Sequence, residues 1–224
     1  MRPALGLALV LAASHASAVS AQSVRARLED RVPAAALPAI DSLVTQAGSE
    51  GLPTEPLLQK ALEGGVKGIA ADRLVNGVRR GLTQLRDARA ILVRAAPARA
   101  VTPGDVAAVS AALARGLSPA LVERLLGAAP PPPPEPAGPV LHAAADLVAR
   151  GFPPDSAADL LLTAQREGLR GVRLLDVAAA ASHELQRGCA PGEALVRVRE
   201  MLPNVPEVPP PRPRAVTRRP GPRS

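Results

Sequence analysis

One short phrase recurs along this chain and limits how it can fold: glycine, an apolar residue, any residue, then proline. Gly116-Leu117-Ser118-Pro119, Gly151-Phe152-Pro153-Pro154 and Gly188-Cys189-Ala190-Pro191 carry it in full. Gly51-Leu52-Pro53, Gly68-Ile69 and Gly168-Leu169 are looser copies. Glycine readily takes the left-handed conformation that closes a helix, and the apolar residue after it packs back on the last turn. Proline then opens the next helix, where its missing N–H costs nothing. The phrase predicts a helix end joined tightly to a helix start. Thr102-Pro103-Gly104-Asp105 and Ser118-Pro119 agree, each placing a hydroxyl N-cap before a first-turn proline, the former with an acid three residues on.

Between these marks the apolar residues recur at helical spacing. Leu74, Val75, Val78, Leu82, Leu85 and Leu92 form one stripe along a long helix expected over about 71–93. Val106, Val109, Ala112 and Leu113 form the next, and Leu121, Val122, Leu125 and Leu126 another. Further on come Leu141, Ala145, Leu147 and Val148, then Leu160, Leu161 and Ala164. Leu174, Leu175, Ala178 and Leu185 follow, and Leu195, Val196, Val198 and Leu202 complete the series. Earlier helices are expected near 39–47 and 55–64, for about nine in all. No segment alternates with period two over a strand's length. The chain also has no Trp, no Tyr and a single Phe, Phe152, whereas strands favour aromatic and β-branched residues. The expected fold class is all-α: short helical hairpins in an irregular bundle or a short α-solenoid-like array, with a disordered Pro/Arg-rich tail. Gly116 and Gly151 stand 35 residues apart, and Gly51 and Gly68 stand 17 apart. That spacing suits a hairpin repeat, and the same caps suit an irregular bundle.

The N-terminus reads as an export signal. Arg2 precedes an apolar run from Pro3 to Ala13, followed by small residues with exits after Ala18 or Ala21. Ser14, His15 and Ser17 interrupt that run short of the roughly 20 apolar residues a membrane span needs. No later stretch is long and apolar enough to span. The expected organisation is 1–21 signal peptide, 22–129 N-terminal helical half, 130–139 Pro-rich linker, 140–202 C-terminal helical half, and 203–224 disordered basic tail. The linker begins with Pro130 to Pro134, a run that favours an extended polyproline spacer. The expected location is periplasmic or secreted.

The segment GLPTEPLLQKALEGGVKG from Gly51 to Gly68, continued by the helix through Arg94, resembles uncharacterised exported Ala/Arg/Pro-rich helical bacterial proteins. The resemblance implies no activity and carries over no functional residue.

The net charge is +7, and more than half of it resides in the tail, where Arg212, Arg214, Arg218, Arg219 and Arg223 face only Glu207. These five arginines are the polyanion-binding candidates, suited to an anionic envelope polymer or a lipid surface. No aromatic residue interleaves them, which argues against specific nucleic-acid recognition. Of 27 basic residues only Lys60 and Lys67 are lysine. Arginine enrichment can serve bidentate recognition, but beside equal enrichment in Ala, Gly and Pro it matches a GC-rich coding sequence.

Chemistry-bearing residues are sparse. His142 and Asp146 stand at i, i+4 and can share a helix face as a metal pair would. No third ligand, HExxH motif or Cys/His cluster joins them, so an ordinary surface pair is expected. His183 and Glu184 precede Cys189, which holds the place of Leu117 and Phe152 in the sister turns and is therefore expected to be a small buried apolar residue. As the single cysteine, it excludes an intrachain disulfide and leaves an intermolecular one as the alternative. Gly64-Gly65-Val66-Lys67-Gly68 lacks the order of a phosphate loop and is expected to end one helix and start another. Asp155 and Asp159 are expected to complement the dipole at a helix start. No cofactor, metal or catalytic residue is assigned. The expected function is an exported binding or scaffolding protein with a protein or peptide partner, not an enzyme. The alternatives are an envelope-surface polyanion binder acting through the tail, and an envelope enzyme with a site near His142, Asp146 or His183.

Overall fold

A computed structural model describes residues 24–128 and 136–204. The expected signal peptide, the proline run and the five tail arginines lie outside the described residues. A helical segment at 24–28 leads to a 3-10 turn (Ala34–Ala36) and then to α1 (Leu37–Ser49), α2 (Glu55–Val66), α3 (Ala71–Ala95), α4 (Pro103–Ala114) and α5 (Pro119–Gly127). Beyond the proline run come α6 (Gly138–Ala149), α7 (Pro154–Arg166), α8 (Arg173–Gln186) and α9 (Pro191–Met201), which ends in a 3-10 turn (Leu202–Asn204). No strand occurs among the described residues. The fold is all-α with bundle-like helical packing.

The glycine phrase works as its chemistry requires. All six marked glycines have positive φ, from 65° at Gly68 to 96° at Gly116. At the end of α6 the Gly151 N–H donates to Val148 O at 3.0 Å and the Phe152 N–H reaches back to Leu147 O at 3.1 Å. Equivalent bond pairs close the turns at Gly51, Gly68, Gly116, Gly168 and Gly188, the Schellman arrangement that satisfies the last carbonyls of a helix. Pro119, Pro154 and Pro191 are the first residues of the helices that follow. Thr102 and Ser118 cap α4 and α5, accepting from Asp105 N–H at 3.1 Å and Leu121 N–H at 3.2 Å.

The apolar residues after the glycines divide into two groups. Leu52, Leu117 and Phe152 are buried in the core, whereas Ile69, Leu169 and Cys189 are half-buried at its edge. Cys189 therefore departs from its expected burial: its Sγ lies 3.5 Å from Glu184 Oε2, so the turn holds the sulfur beside a carboxylate rather than among methyl groups. Leu175 and Val196 also depart from expectation, at 40% and 55% exposed. Each follows a buried neighbour, Leu174 or Leu195. With 3.6 residues per turn, the second member of an apolar doublet rotates off the buried stripe.

α3 is the central element and packs on α1, α2, α4 and α5. Further along, α4 packs on α6 and α6 on α8, while α5 packs on α7 and α7 on α9. Helices on either side of the proline run are thus in direct contact, and one hydrophobic core runs from Leu28 to Leu202. With almost no aromatic side chains to fill gaps, close approach does the filling. Ala143, Ala144, Ala145, Ala157, Ala158, Ala181 and Ala194 are all fully buried. Gly64 and Gly65 serve the same end inside the last turn of α2. A Cβ on Gly65 would stand 1.9 Å from the Arg31 carbonyl oxygen, and one on Gly64 would stand 2.3 Å from Leu74 Cδ1.

Asp105 ties the two halves together. Its Oδ1 accepts from Arg99 Nη2 at 2.9 Å and from the Ala137 N–H at 2.8 Å, while its Oδ2 accepts from Thr102 Oγ1 at 2.8 Å. The side chains of Asp105 and Arg99 are only 6% and 10% exposed. Ala137 precedes the first residue of α6, so this carboxylate fixes the backbone at the start of that helix. α6 begins at Gly138 with Pro139 in its first turn, inside the stretch that composition alone marks as linker.

Three substitutions test this account of stability. Gly151→Ala meets no atom within 4 Å, so its cost is conformational, about 1–2 kcal/mol at positive φ. Gly192→Ala, equally unobstructed but inside α9, should instead gain up to about 1 kcal/mol, and urea denaturation of the pair reads the difference. Asp105→Ala should lower unfolding free energy by about 3–5 kcal/mol, because it strands a buried arginine. The same titration checks it.

Candidate functional site: a basic cleft between two helices

α2 and α3 are joined by the tight turn at Gly68 and run antiparallel. Gly64 at the end of α2 meets Leu74 at the start of α3, while Leu57 and Lys60 meet Gly81 a few turns on. On α2, Lys60 and Gly64 are followed by Lys67 at the C-cap, and on α3, Arg73, Gly77 and Arg80 repeat the spacing i, i+4, i+7. Residues at that spacing share one helix face, and here the two faces border the same seam. The Lys60 stem lies across the seam at the glycines of α3. A Cβ at Gly81 would stand 3.5 Å from Lys60 Cδ, and one at Gly77 would stand 4.0 Å from Lys60 Cε. The result is an open cleft of about 710 Å³, lined by Lys60, Lys67, Arg73, Arg80 and Glu63, with Gly64, Ile69, Ala70 and Leu74 at its floor.

Four cations thus face one carboxylate. Lys67 approaches Glu63 only to 4.0 Å, and Lys60, Arg73 and Arg80 form no ion pair among the described residues. The first turn of α3 opens on the same space. Its N-cap is Ala70, which offers no side-chain acceptor. The N–H groups of that turn lack intrahelical partners and carry the positive end of the helix dipole. Their effect adds to that of the four side chains, and the whole wall favours negative charge.

Several other arginines are engaged with acids. Arg86 binds Glu50 through Nε at 2.8 Å, and Arg94 binds Glu123 at 2.8 Å. Arg124 on α5 reaches both Asp155 and Asp159 on α7. Those two aspartates are more than dipole partners: they tie two helices together. Arginine enrichment likewise has a structural use that the expectation of coding bias omitted.

The residues singled out from sequence do not converge. His142 is exposed on α6 beside a crevice with no room for a water molecule. Both oxygens of Asp146 are taken by arginines, Oδ1 by Arg115 at 3.4 Å and Oδ2 by Arg150 at 2.9 Å. His183 is 66% exposed on α8, with Nδ1 3.8 Å from Glu184 Oε1. No group of three or more His, Cys, Asp or Glu side chains placed to hold a metal ion occurs among the described residues. Arg212, Arg214, Arg218, Arg219 and Arg223 lie outside the described residues.

Glu184 is the one buried acid near these candidates, meeting Arg187 and Arg197 at 3.4 Å each as well as the Cys189 thiol. Burial works to raise its carboxyl, but the thiol and the two arginines outweigh it and hold it below the ordinary carboxylate range. Burial pushes the Cys189 thiol up; Arg197 pulls against it, and Glu184 and Glu193 reinforce the rise. The thiol is therefore a donor to Glu184, and the arrangement disfavours the thiolate that nucleophilic chemistry needs.

The cleft escaped the sequence reading. Its signal was a glycine set inside each pair of cations, on two helices flanking a glycine turn. That spacing acquires meaning only once α2 and α3 are known to lie against each other. No protein-family model, curated protein or solved structure matches this chain.

The thiol chemistry is testable by alkylation. Arg197→Gln removes the one charge that lowers the thiol, so iodoacetamide should modify Cys189 several-fold more slowly near pH 8. Faster modification would mean that the turn has opened instead.

Proposed function

We propose that this chain is an exported helical binding or scaffolding protein, not an enzyme, whose partner is a protein or peptide. The helices after α3 form a short helical-repeat array in this reading. Its hairpins start at Pro103, Gly138 and Arg173, 35 residues apart, with α4, α6 and α8 in one layer and α5, α7 and α9 in the other. Stacked hairpins of this kind present extended surfaces to partner segments. The observation that carries the reading is the α2–α3 cleft, a concavity where Lys60, Arg73 and Arg80 reach no acid among the described residues and Lys67 approaches Glu63 only to 4.0 Å, while Arg86 and Arg94 farther along α3 and Arg124 on α5 do reach acids. Chemistry finds less support, since His183 lies on a different helix from His142 and Asp146, and Asp146 is already consumed by arginines.

The test is affinity capture from a cell-envelope extract, using the chain from Gln22 and a copy ending at Leu202. A discrete partner held by both is the expected result. Retention by the full chain alone, released by salt, would transfer the function to the tail arginines and an anionic envelope polymer or lipid surface. Retention by neither overturns the binding reading.

A further inference from the structure

We infer that the α2–α3 cleft is the docking site for an extended acidic peptide segment whose carboxylates recur every third residue. The inference rests on the binding-protein reading and names the ligand class of its site. Charge gives the sign: Lys60, Lys67, Arg73 and Arg80 against Glu63 alone.

Register gives the spacing. Lys60 and the C-cap Lys67 are seven residues, about two turns, apart along α2, as are Arg73 and Arg80 along α3, and a helix rises 1.5 Å per residue, so each pair spans roughly 10 Å. Antiparallel packing sets Lys67 with Arg73 near the Gly68 turn, and Lys60 with Arg80 farther along. The cleft thus holds two cationic rungs about 10 Å apart. A polyproline II segment has three residues per turn and rises about 3.1 Å per residue, so acids at i and i+3 lie on one face about 9 Å apart. Ile69 and Leu74 between the rungs offer an apolar floor for a residue carried between the acids.

Shape separates a chain segment from a small molecule. Pockets for small ligands bury most of the ligand surface, whereas all four cations here are exposed and the cleft is open along its length. No segment of this chain outside the described residues suits it. Residues 1–23 carry no acid, residues 129–135 carry only Glu135, and residues 205–224 carry Glu207 among five arginines.

The experiment is fluorescence anisotropy of the full chain with labelled synthetic peptides in an Ala/Pro background. One peptide carries Glu at i, i+3 and i+6, and its isomer carries the three Glu side by side. The spaced peptide should bind at least about threefold more tightly than its isomer, and binding should weaken with salt. Arg73→Gln with Arg80→Gln, and separately Lys60→Gln with Lys67→Gln, should each weaken it at least about fivefold. These side chains are exposed and contribute no ion pair shorter than 4.0 Å, so unfolding midpoints should not fall. Neutralising the five tail arginines to Gln should leave affinity within about twofold. Indifference to spacing, wild-type affinity in both cleft variants, or loss in the tail variant overturns the inference. The binding-protein reading fails separately: a partner captured from extract and still held by the Arg73→Gln/Arg80→Gln chain would sink the cleft and spare the module.

Discussion

A core built almost without aromatic rings must be closed by helices approaching one another rather than by large side chains filling the space between them. That constraint runs through this fold. Buried alanines line the contacts among α6, α7, α8 and α9, and Gly64, Gly65 and Gly81 bring α2 against its neighbours at distances no Cβ would permit without movement. Short helices at such separations need turns that reverse direction within a few residues. The left-handed glycine supplies them, since it satisfies the last carbonyls of one helix while aiming the chain at the next. Small-residue packing and glycine capping are therefore two consequences of one composition.

Polar contacts set register on that framework. The exposed pairs Arg27–Glu55, Arg94–Glu123 and Arg124–Asp159 each join neighbouring elements, and pairs of this kind contribute at most about 1 kcal/mol. Asp105 differs in kind. It is buried, it bonds Arg99, Thr102 and the Ala137 backbone at once, and loss of any partner would leave charge or a donor without compensation in a dry site. The sequence between α5 and α6 carries a run of prolines, which cannot continue a helix. The carboxylate in α4 holds the Ala137 N–H, and α6 starts at the next residue.

Local chemistry made much of the fold legible in the sequence. Each glycine phrase marks an observed helix end, and the stripe from Leu74 to Leu92 lies within α3, whose observed end is two residues past the expected one. What failed was whatever depends on the second helix in a contact. Apolar doublets do not say which member faces inward, hence the exposure of Leu175 and Val196. Position in a turn identified Cys189 as a capping residue, but the carboxylate beside it comes from the preceding turn of α8 and changes its surroundings. Asp105 was readable as a helix-start acid because Thr102 is three residues away. Its bond to Ala137 spans 32 residues and left no local trace.

The same distinction separates the histidines from the cleft. His142 and Asp146 carry a local signal, i, i+4 on one helix, and the fold spends Asp146 on Arg115 at the end of α4 and Arg150 at the end of its own helix. Lys60, Lys67, Arg73 and Arg80 carry no motif, yet the fold gathers them on one seam and supplies a single acid to balance them. Arginines farther along α3 and on α5 do meet acids: Glu50 for Arg86, Glu123 for Arg94, Asp155 and Asp159 for Arg124. Like charges held together repel, so leaving four of them along one seam works against the folded state in the absence of a counter-charge. An acidic segment laid between α2 and α3, in the cleft bordered by Lys60, Lys67, Arg73 and Arg80, would relieve that repulsion as it binds.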